Sequence, residues 1–236
     1  MRIDKLLSEM GIATRSEARS AAARGGVLVD GVPVRDLSRH VDPEAVRISY
    51  LGREIGYNKF VYVMLNKPDG YVSATEDSRL PVVTELLPDE LRKRELFPVG
   101  RLDKDTTGLM ILTNDGKLAH SVLSPRHHVS KVYFFTAAEP MAEGVEDYFR
   151  GGVTLKDGYE CKSAEIVLAA DRLSGHITLT EGKYHQIKRM VAASGNRVTS
   201  LCRVSFADIA LDESLGAGEW RELTEDEQAR LKAQVN

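Results

Sequence analysis

A charged loop bounded by glycines, which runs directly into an apolar segment, constrains the fold of this chain more than any other feature. The loop spans residues 100–108 and has the sequence GRLDKDTTG; the segment LMILT follows at residues 109–113, before the turn residues NDG. An apolar run of this length that ends at a turn dipeptide predicts a buried strand. Because such a strand is fixed in the core, the loop before it can display polar side chains in a fixed position.

Asp103 is the central carboxylate of this loop and lies between Arg101 and Lys104. An ionised carboxylate among cations can serve as a nucleophile. Two other interpretations are open for such a residue. An aspartate before a strand is commonly a turn former, and residues 103–108 imitate the start of a calcium-binding loop. The calcium interpretation fails because the twelfth position, which needs a bidentate glutamate, holds Asn114.

Length and composition indicate a soluble globular chain. Its 236 residues allow one large domain or a small domain followed by a larger one. No apolar run approaches the ~18 residues that span a bilayer, and the N-terminus MRIDK lacks the features of a signal peptide. Cys161 and Cys202 lack metal-ligand spacing. We therefore expect a cytoplasmic protein with reduced cysteines and no membrane partner.

The net charge of −3 argues only weakly against a nucleic-acid partner, because the charge is unevenly distributed. Eight acidic and three basic residues lie between residues 205 and 236, which gives that segment −5 and the first 204 residues +2. Patches of charge matter more for nucleic-acid binding than the total does. The charge alone therefore does not decide the partner.

Residues 1–55 predict a small separate module. Two short helices, the second opened by a Thr14–Glu17 capping box, precede a hairpin that turns at Asp30-Gly31. Arg15 and Arg19 share one helix face, which is either a solvated surface or a phosphate-binding one. The segment TRSEARSAAARGGVLVDGVPV resembles the alpha-L RNA-binding motif of a small-subunit ribosomal protein and of tyrosyl-tRNA synthetases. The resemblance implies that both arginines bind RNA.

Three separated segments combine cations with aromatic or acidic groups, a combination that suits an extruded nucleotide. Cations hold phosphates, a ring stacks on the base, and one carboxylate acts on it. No zinc signature, phosphate-binding glycine loop or dinucleotide fingerprint is present, so we expect no metal and no cofactor. The residues concerned are Arg101 and Asp103; Arg126, Lys131 and Tyr133; and Lys183, Tyr184, His185, Lys188 and Arg189.

The last of these segments leads into a helix whose periodicity separates its two cations. Ile187, Met190 and Val191 form the apolar stripe, so Lys188 lies on the flank of the stripe and Arg189 nearly opposite. Lys188 can therefore lean into a pocket while Arg189 faces outward toward phosphates. A basic helix face that is merely solvated remains the alternative.

Four motifs in this order resemble the pseudouridine synthases, in the branch that acts on small-subunit ribosomal RNA: MLNKPDGYVSAT, GRLDKDTTGLMILTNDG, SPRHHVSKVYF and EGKYHQIKRM. The resemblance covers essentially the whole chain. It implies an α+β fold with a long mixed, largely antiparallel sheet and flanking helices, preceded by the alpha-L domain. The predicted boundaries are 1–55 for the RNA-binding domain, 56–59 for a linker and 60–236 for the catalytic domain.

The resemblance also implies roles for individual residues. Asp103 matches the aspartate that attacks the ribose or base of a flipped uridine, whose uracil detaches, rotates and rejoins through carbon 5. Tyr133 matches the tyrosine that stacks on the base and assists removal of the carbon-5 proton. Arg101 matches the residue that enters the RNA helix, and Lys188 the basic partner of the aspartate. Many relatives have arginine there, so whether Lys188 or Arg189 pairs with Asp103 stays open.

These inferences predict a monomeric enzyme that isomerises a uridine in ribosomal RNA during ribosome biogenesis. The residues of the last two motifs favour small-subunit RNA as the substrate, either naked or in a partly assembled particle. A large-subunit uridine is the alternative target. A ribosome-assembly factor that binds RNA without catalysis is the alternative from another class.

Overall fold

The structure, a computed structural model, describes residues 1–235. The chain divides into two compact units. One unit contains Met1–Val61 and Leu87–Leu96; the other contains Tyr62–Leu86 and the chain from Phe97 onward. Asn236, the last residue of the predicted catalytic domain, lies outside the described residues. The predicted domain boundaries stay a prediction.

The segment Leu87–Leu96 belongs to the first unit, although the sequence was divided so that it fell in the catalytic domain. Its backbone packs closely there, because a Cβ atom on Gly11 would lie 2.6 Å from the carbonyl oxygen of Glu90. The guanidinium of Arg94 also donates to the carbonyl of Asn58, at 2.6 Å. A local reading of the chain could not anticipate these contacts, since they join residues far apart in sequence.

The first unit packs three short helices with a small antiparallel sheet. In the described chain this sheet has four strands in the order β2-β1-β3-β4. Its core is formed by apolar residues of the two N-terminal helices and of the first and third strands. The elements are α1 (Ile3–Glu9), α2 (Arg15–Ala23), β1 (Val27–Val29), β2 (Val32–Pro33), β3 (Ile48–Tyr50), β4 (Arg53–Ile55) and α3 (Asp89–Arg92).

The second unit is built on a long mixed sheet, which confirms the predicted α+β architecture. Among residues 1–235 this sheet has nine strands, in the order β13-β5-β7-β11-β8-β10-β9, with β6 beside β7 and β12 beside β11. All neighbouring pairs are antiparallel except β7 with β11. The strands are β5 (Tyr62–Lys67), β6 (Phe97–Pro98), β7 (Thr107–Thr113), β8 (Lys131–Ala137), β9 (Glu165–Leu168), β10 (Ser174–Leu179), β11 (Val198–Phe206), β12 (Ile209–Ala210) and β13 (Trp220–Glu222).

Strand β7 is the buried strand that the apolar segment predicts, since Leu109, Met110, Ile111 and Leu112 are all fully buried. Helices flank the sheet: α4 (Gly116–Leu123), α5 (Val145–Arg150), α6 (Gln186–Ala193) and α7 (Glu225–Ala233), with a 3₁₀ turn at Val83–Leu86. None of the helices described here has the length and apolar character that crossing a bilayer requires.

Gly108 lies where the loop enters β7, and the backbone of the parallel strand β11 packs directly against it. The backbone of Gly108 has φ +94°, which side-chain-bearing residues rarely adopt. A Cβ atom there would lie 2.4 Å from the carbonyl oxygen of Arg203 and 2.6 Å from the Sγ of Cys202. The parallel pairing of β7 with β11 therefore requires glycine at this position.

We expect Gly108→Ala to lower the free energy of unfolding by about 3 kcal/mol, because it adds both backbone strain and a clash with main-chain atoms. Gly116→Ala is the matched control, since a Cβ atom on Gly116 meets nothing within 4 Å. Urea unfolding of the three proteins checks this. A Gly108→Ala protein as stable as the Gly116→Ala protein would contradict the close approach of β11.

Candidate active site

A cleft of about 610 Å³ lies within the second unit. Its volume is in the range of pockets that hold small ligands. Three of the residues singled out by sequence, Asp103, Tyr133 and Lys188, line this one cleft. They come from three different segments: the loop before β7, the strand β8 and the helix α6. The fold thus brings together the groups that the motifs predict for one site.

The loop that carries Asp103 is held from both sides. The Ser73 hydroxyl donates to the carbonyl of Leu102, at 2.8 Å, and accepts from its N–H, at 2.9 Å. The Lys67 ammonium, fully buried at the end of β5, donates to the carbonyls of Lys104 and Thr106, at 3.0 and 2.8 Å. Satisfied backbone groups leave the loop few alternative conformations. Asp103 is therefore displayed from a fixed backbone.

Lys188 is the cation that pairs with Asp103, which answers the question left open by the sequence. Its Nζ lies 3.2 Å from Oδ2 of Asp103 and 2.5 Å from Oδ1 of Asp105. Burial lowers the pKa of Lys188, but hydrogen bonds to the two carboxylates outweigh burial and raise it above its ordinary value. The same hydrogen bond from Lys188 lowers the pKa of Asp105. One ammonium therefore holds two carboxylates of the loop.

His185 contacts Asp103 from a second direction. Its Nε2 lies 3.6 Å from Oδ1 of Asp103, and its backbone has φ +49°, in the left-handed region. The imidazole stacks on the exposed ring of Tyr184, with ring centroids 3.8 Å apart. Both residues line the cleft immediately before α6 begins.

A buried carboxylate braces the turn that presents these rings. Glu181 accepts from the Tyr159 hydroxyl, at 2.9 Å, from the Lys162 N–H, at 2.9 Å, and from the Gln186 side chain, at 2.6 Å. Gln186 in turn accepts from the backbone N–H of Lys183, at 2.9 Å. Because Glu181 and Gln186 are both buried, this network fixes the conformation of residues 181–186.

The inner wall of the cleft combines an aromatic ring with two cations. Tyr133 and Arg203 are cross-strand partners of β8 and β11, and Lys131 pairs with Phe206 two positions along β8. Tyr133 and Arg203 are buried, while Lys131 is half-buried. Burial and, to a smaller extent, the charge of Arg203 lower the pKa of Lys131 to about 8, against the opposing effect of Glu181.

The pKa of Lys131 predicts a stability that rises with pH. The folded state releases this proton near pH 8, whereas the unfolded chain holds it to about pH 10.4. Between these values the unfolded state binds more protons, so the free energy of unfolding increases with pH. We expect Lys131→Met to reduce this increase between pH 8 and pH 10, measured by urea unfolding. An unchanged increase would contradict the burial of the Lys131 ammonium.

The remaining predicted residues of the second unit surround the cleft in different ways. Arg101 and Lys183 line it and are exposed, and the Lys183 ammonium lies 4.9 Å from the centroid of the Tyr159 ring. Arg126 is exposed on the turn that leads to β8. Arg189 forms an ion pair with Asp157 instead of reaching Asp103. The Arg189 side chain is partly exposed, and its role in holding phosphates stays a prediction.

Arg15 and Arg19 lie on α2 of the first unit, and both are exposed. The Arg19 guanidinium lies 3.4 Å from the carboxylate of Asp4, which is buried and also holds Arg2 at 2.8 Å. These two guanidiniums lower the pKa of Asp4, Arg2 most, although burial opposes them. The charge of Arg19 is therefore partly neutralised within its own unit, while Arg15 faces solvent.

Three residues of the site were missed by sequence reasoning: Lys67, Asp105 and Arg203. Lys67 and Arg203 occupy strands whose other residues are largely apolar, and their burial depends on partners far along the chain. Asp105 was considered only as part of a calcium pattern. A signal for it existed, because Asp103 and Asp105 flank one lysine in a loop that faces a basic helix.

The arrangement suits acid–base and nucleophilic chemistry on a bound nucleotide. Among residues 1–235 no group of three or more histidines, cysteines or acidic residues could hold a metal ion. The cleft instead offers one carboxylate beside an ammonium, an aromatic wall and cations at its mouth. A base can stack in such a site while cations bind the phosphates.

Comparisons with known proteins identify the family. Residues 61–193 match the family model described as RNA pseudouridylate synthase, and residues 1–46 match that of the S4 domain. The chain is 44% identical to an uncharacterized RNA pseudouridine synthase of Bacillus subtilis, YtzG, over 96% of each chain. It is 38% identical to ribosomal small subunit pseudouridine synthase A of Escherichia coli, over 98% of this chain and 100% of the relative.

A solved structure agrees with these matches. A crystal structure of pseudouridylate synthase shares 36% identity with the chain at a TM-score of 0.69, over 98% of this chain and 99% of that one. The chain therefore belongs to the RNA pseudouridine synthase family. It is an isomerase that acts on RNA and carries an S4 domain at its N-terminus, as its motifs predict.

Proposed function

We propose that this enzyme isomerises one uridine of small-subunit ribosomal RNA, with Asp103 as the nucleophile. The observation that carries the proposal is the position of the Asp103 carboxylate, 3.2 Å from the Lys188 ammonium in the cleft that Tyr133 also lines. Relatives of nearly the same length are named ribosomal small subunit pseudouridine synthase A, which supports the choice of RNA. A uridine of large-subunit RNA is the alternative substrate.

The reaction exchanges one bond between base and sugar for another. The bond between N1 of uracil and C1′ of ribose breaks, and a bond between C5 and C1′ forms. The C5 carbon loses a proton and N1 gains one, so no electrons are transferred and no co-reactant is consumed. A carboxylate that attacks the ribose or the base, and is later released, is sufficient as the covalent catalyst.

The other residues support this step in our proposal. Lys188 balances the charge of Asp103 before attack, and the Tyr133 ring stacks on the extruded base. Arg101, at the mouth of the cleft, enters the space that the flipped uridine leaves in the RNA helix. Arg126, Lys183 and Arg189 contact phosphates, which position the RNA without reading its sequence.

Mapping pseudouridine in ribosomal RNA from a strain that lacks the gene tests the proposal. We expect one site to disappear from small-subunit RNA and to return with the wild-type gene but not with one that encodes Asp103→Asn. A missing site in large-subunit RNA would instead support the alternative substrate. Full restoration by the Asp103→Asn protein would overturn the role of Asp103.

A further inference from the structure

Arg203 is a buried cation whose charge the protein leaves largely uncompensated. The residue is 2% exposed and lines the cleft beside Tyr133. Its Nε donates to the carbonyl of Leu109, at 2.8 Å, but in the described chain its buried Nη2 has no hydrogen-bond partner. A buried donor without a partner costs about 1–3 kcal/mol, and this donor belongs to a side chain that lines the cleft.

Lys131 adds a second cation to the same wall. Its Nζ donates to the carbonyl of Val129, at 2.8 Å. Both cations pack near the ring of Phe206, with the Lys131 Nζ 5.7 Å and the Arg203 Cζ 5.0 Å from its centroid. Among residues 1–235 neither forms an ion pair with a carboxylate within 4.0 Å, and Glu181 is engaged with Tyr159, Lys162 and Gln186.

We propose that Arg203 and Lys131 form an anion site that binds the carbonyl oxygens of the target uracil and stabilises the negative charge that the base acquires as it detaches. The inference rests on the function proposed above. When the N1–C1′ bond breaks, its electron pair stays on the uracil and spreads over N1, O2 and O4, while the Asp103 carboxylate forms a bond to C1′. Fixed donors in a water-poor site stabilise such charge strongly.

Arg203 lies at a different depth in the cleft from the cations that are proposed to hold phosphates. Lys183 and Arg101 are exposed at the mouth of the cleft, where a backbone passes, whereas Arg203 is buried beside Tyr133, the ring proposed to stack on the base. A phosphate bound by Arg203 would have to enter with the base. The geometry therefore favours the base carbonyls as the acceptors.

Single-turnover rates with modified RNA test the proposal. The target position of a short RNA fragment carries uridine, 2-thiouridine or 4-thiouridine, because sulfur accepts hydrogen bonds poorly. The proteins are wild type, Arg203→Met, Arg203→Lys and Lys131→Met. We expect Arg203→Met to slow the step by about 10²-fold or more, with the Kd for RNA changed less than about 3-fold and with partial rescue in Arg203→Lys. One of the two thio substitutions should slow the reaction of the wild-type protein but not that of the Arg203→Met protein.

Lys183→Met is the matched control, because this lysine lines the cleft at its mouth. We expect it to weaken RNA binding and to leave the thio effects as in wild type. The proposal is overturned if the effects of the thio substitution and of Arg203→Met on the rate multiply independently. It is also overturned if the effect of Arg203→Met is instead coupled to that of a phosphorothioate placed at the target nucleotide. Should Arg203→Met not fold, Lys131→Met carries the same test. If the wild-type protein isomerised no ribosomal RNA, that result would contradict the proposed function instead.

Discussion

Replacing Asp103 with asparagine should reduce pseudouridine formation by about 10³-fold or more, the order of loss expected when a covalent nucleophile is removed. Asparagine keeps the size of the side chain and can still accept a hydrogen bond from Lys188, so the cleft should keep its shape. RNA affinity should change less than about 3-fold, since the contacts to phosphates come from the cations. Release of tritium from RNA labelled at carbon 5 of uridine measures the activity, and filter binding measures the affinity.

Asp105→Asn is the matched control for this prediction. Asp105 lies on the same loop and holds the same ammonium, at 2.5 Å, but the proposed chemistry does not use it. We expect a loss of about 10-fold or less, because Lys188 keeps its contact with Asp103. Equal losses in both variants would contradict a special role for Asp103 and would indicate that the ion-pair network as a whole supports activity.

Local sequence signals predicted those parts of the fold that depend on residues close together in the chain. The Thr14–Glu17 capping box opens α2 with both of its hydrogen bonds present. Residues 109–113 lie in the buried strand β7, as their apolar pattern predicts. The hairpin turns at Asp30-Gly31, and both residues have the positive φ that such a turn requires. A helix cap, an apolar strand segment and a turn each depend on residues within a few positions of one another, which is why the sequence reveals them.

Long-range contacts set what the sequence did not reveal. A lysine at the end of a strand and an arginine within one usually face solvent, yet Lys67 and Arg203 are buried. The acceptor of Lys67 on Thr106 lies 39 residues away, and that of Arg203 on Leu109 lies 94 residues away. The pairing of β4 with β3 is likewise not visible in the residues of β4 alone. Whether a cation is buried therefore depends on which distant segments the fold places around it.

The position of Asp103 depends in particular on Lys67. The Lys67 ammonium donates to the carbonyls of Pro68, Lys104 and Thr106, at 3.1, 3.0 and 2.8 Å, and two of these belong to the loop that carries Asp103. Burial, offset only in part by the negative charges of Asp69, Asp105 and Asp103, lowers the pKa of Lys67 to about 8. The protein thus retains a buried ammonium despite its desolvation cost, which indicates that the three hydrogen bonds matter more.

We expect Lys67→Met to lower the free energy of unfolding by about 2 kcal/mol, since three carbonyls lose their donor while the cost of burying a charge is removed. Activity should fall by about 10²-fold, because a loop free to shift by about 1 Å misplaces the attacking carboxylate. Lys104→Met, at an exposed lysine of the same loop, is the control and should change stability by about 0.5 kcal/mol or less. Urea unfolding and tritium release measure both effects. If Lys67→Met were as active as Lys104→Met, the loop would hold Asp103 in place without the buried ammonium, and its rigidity would have to come from Ser73 and the pairing of β7.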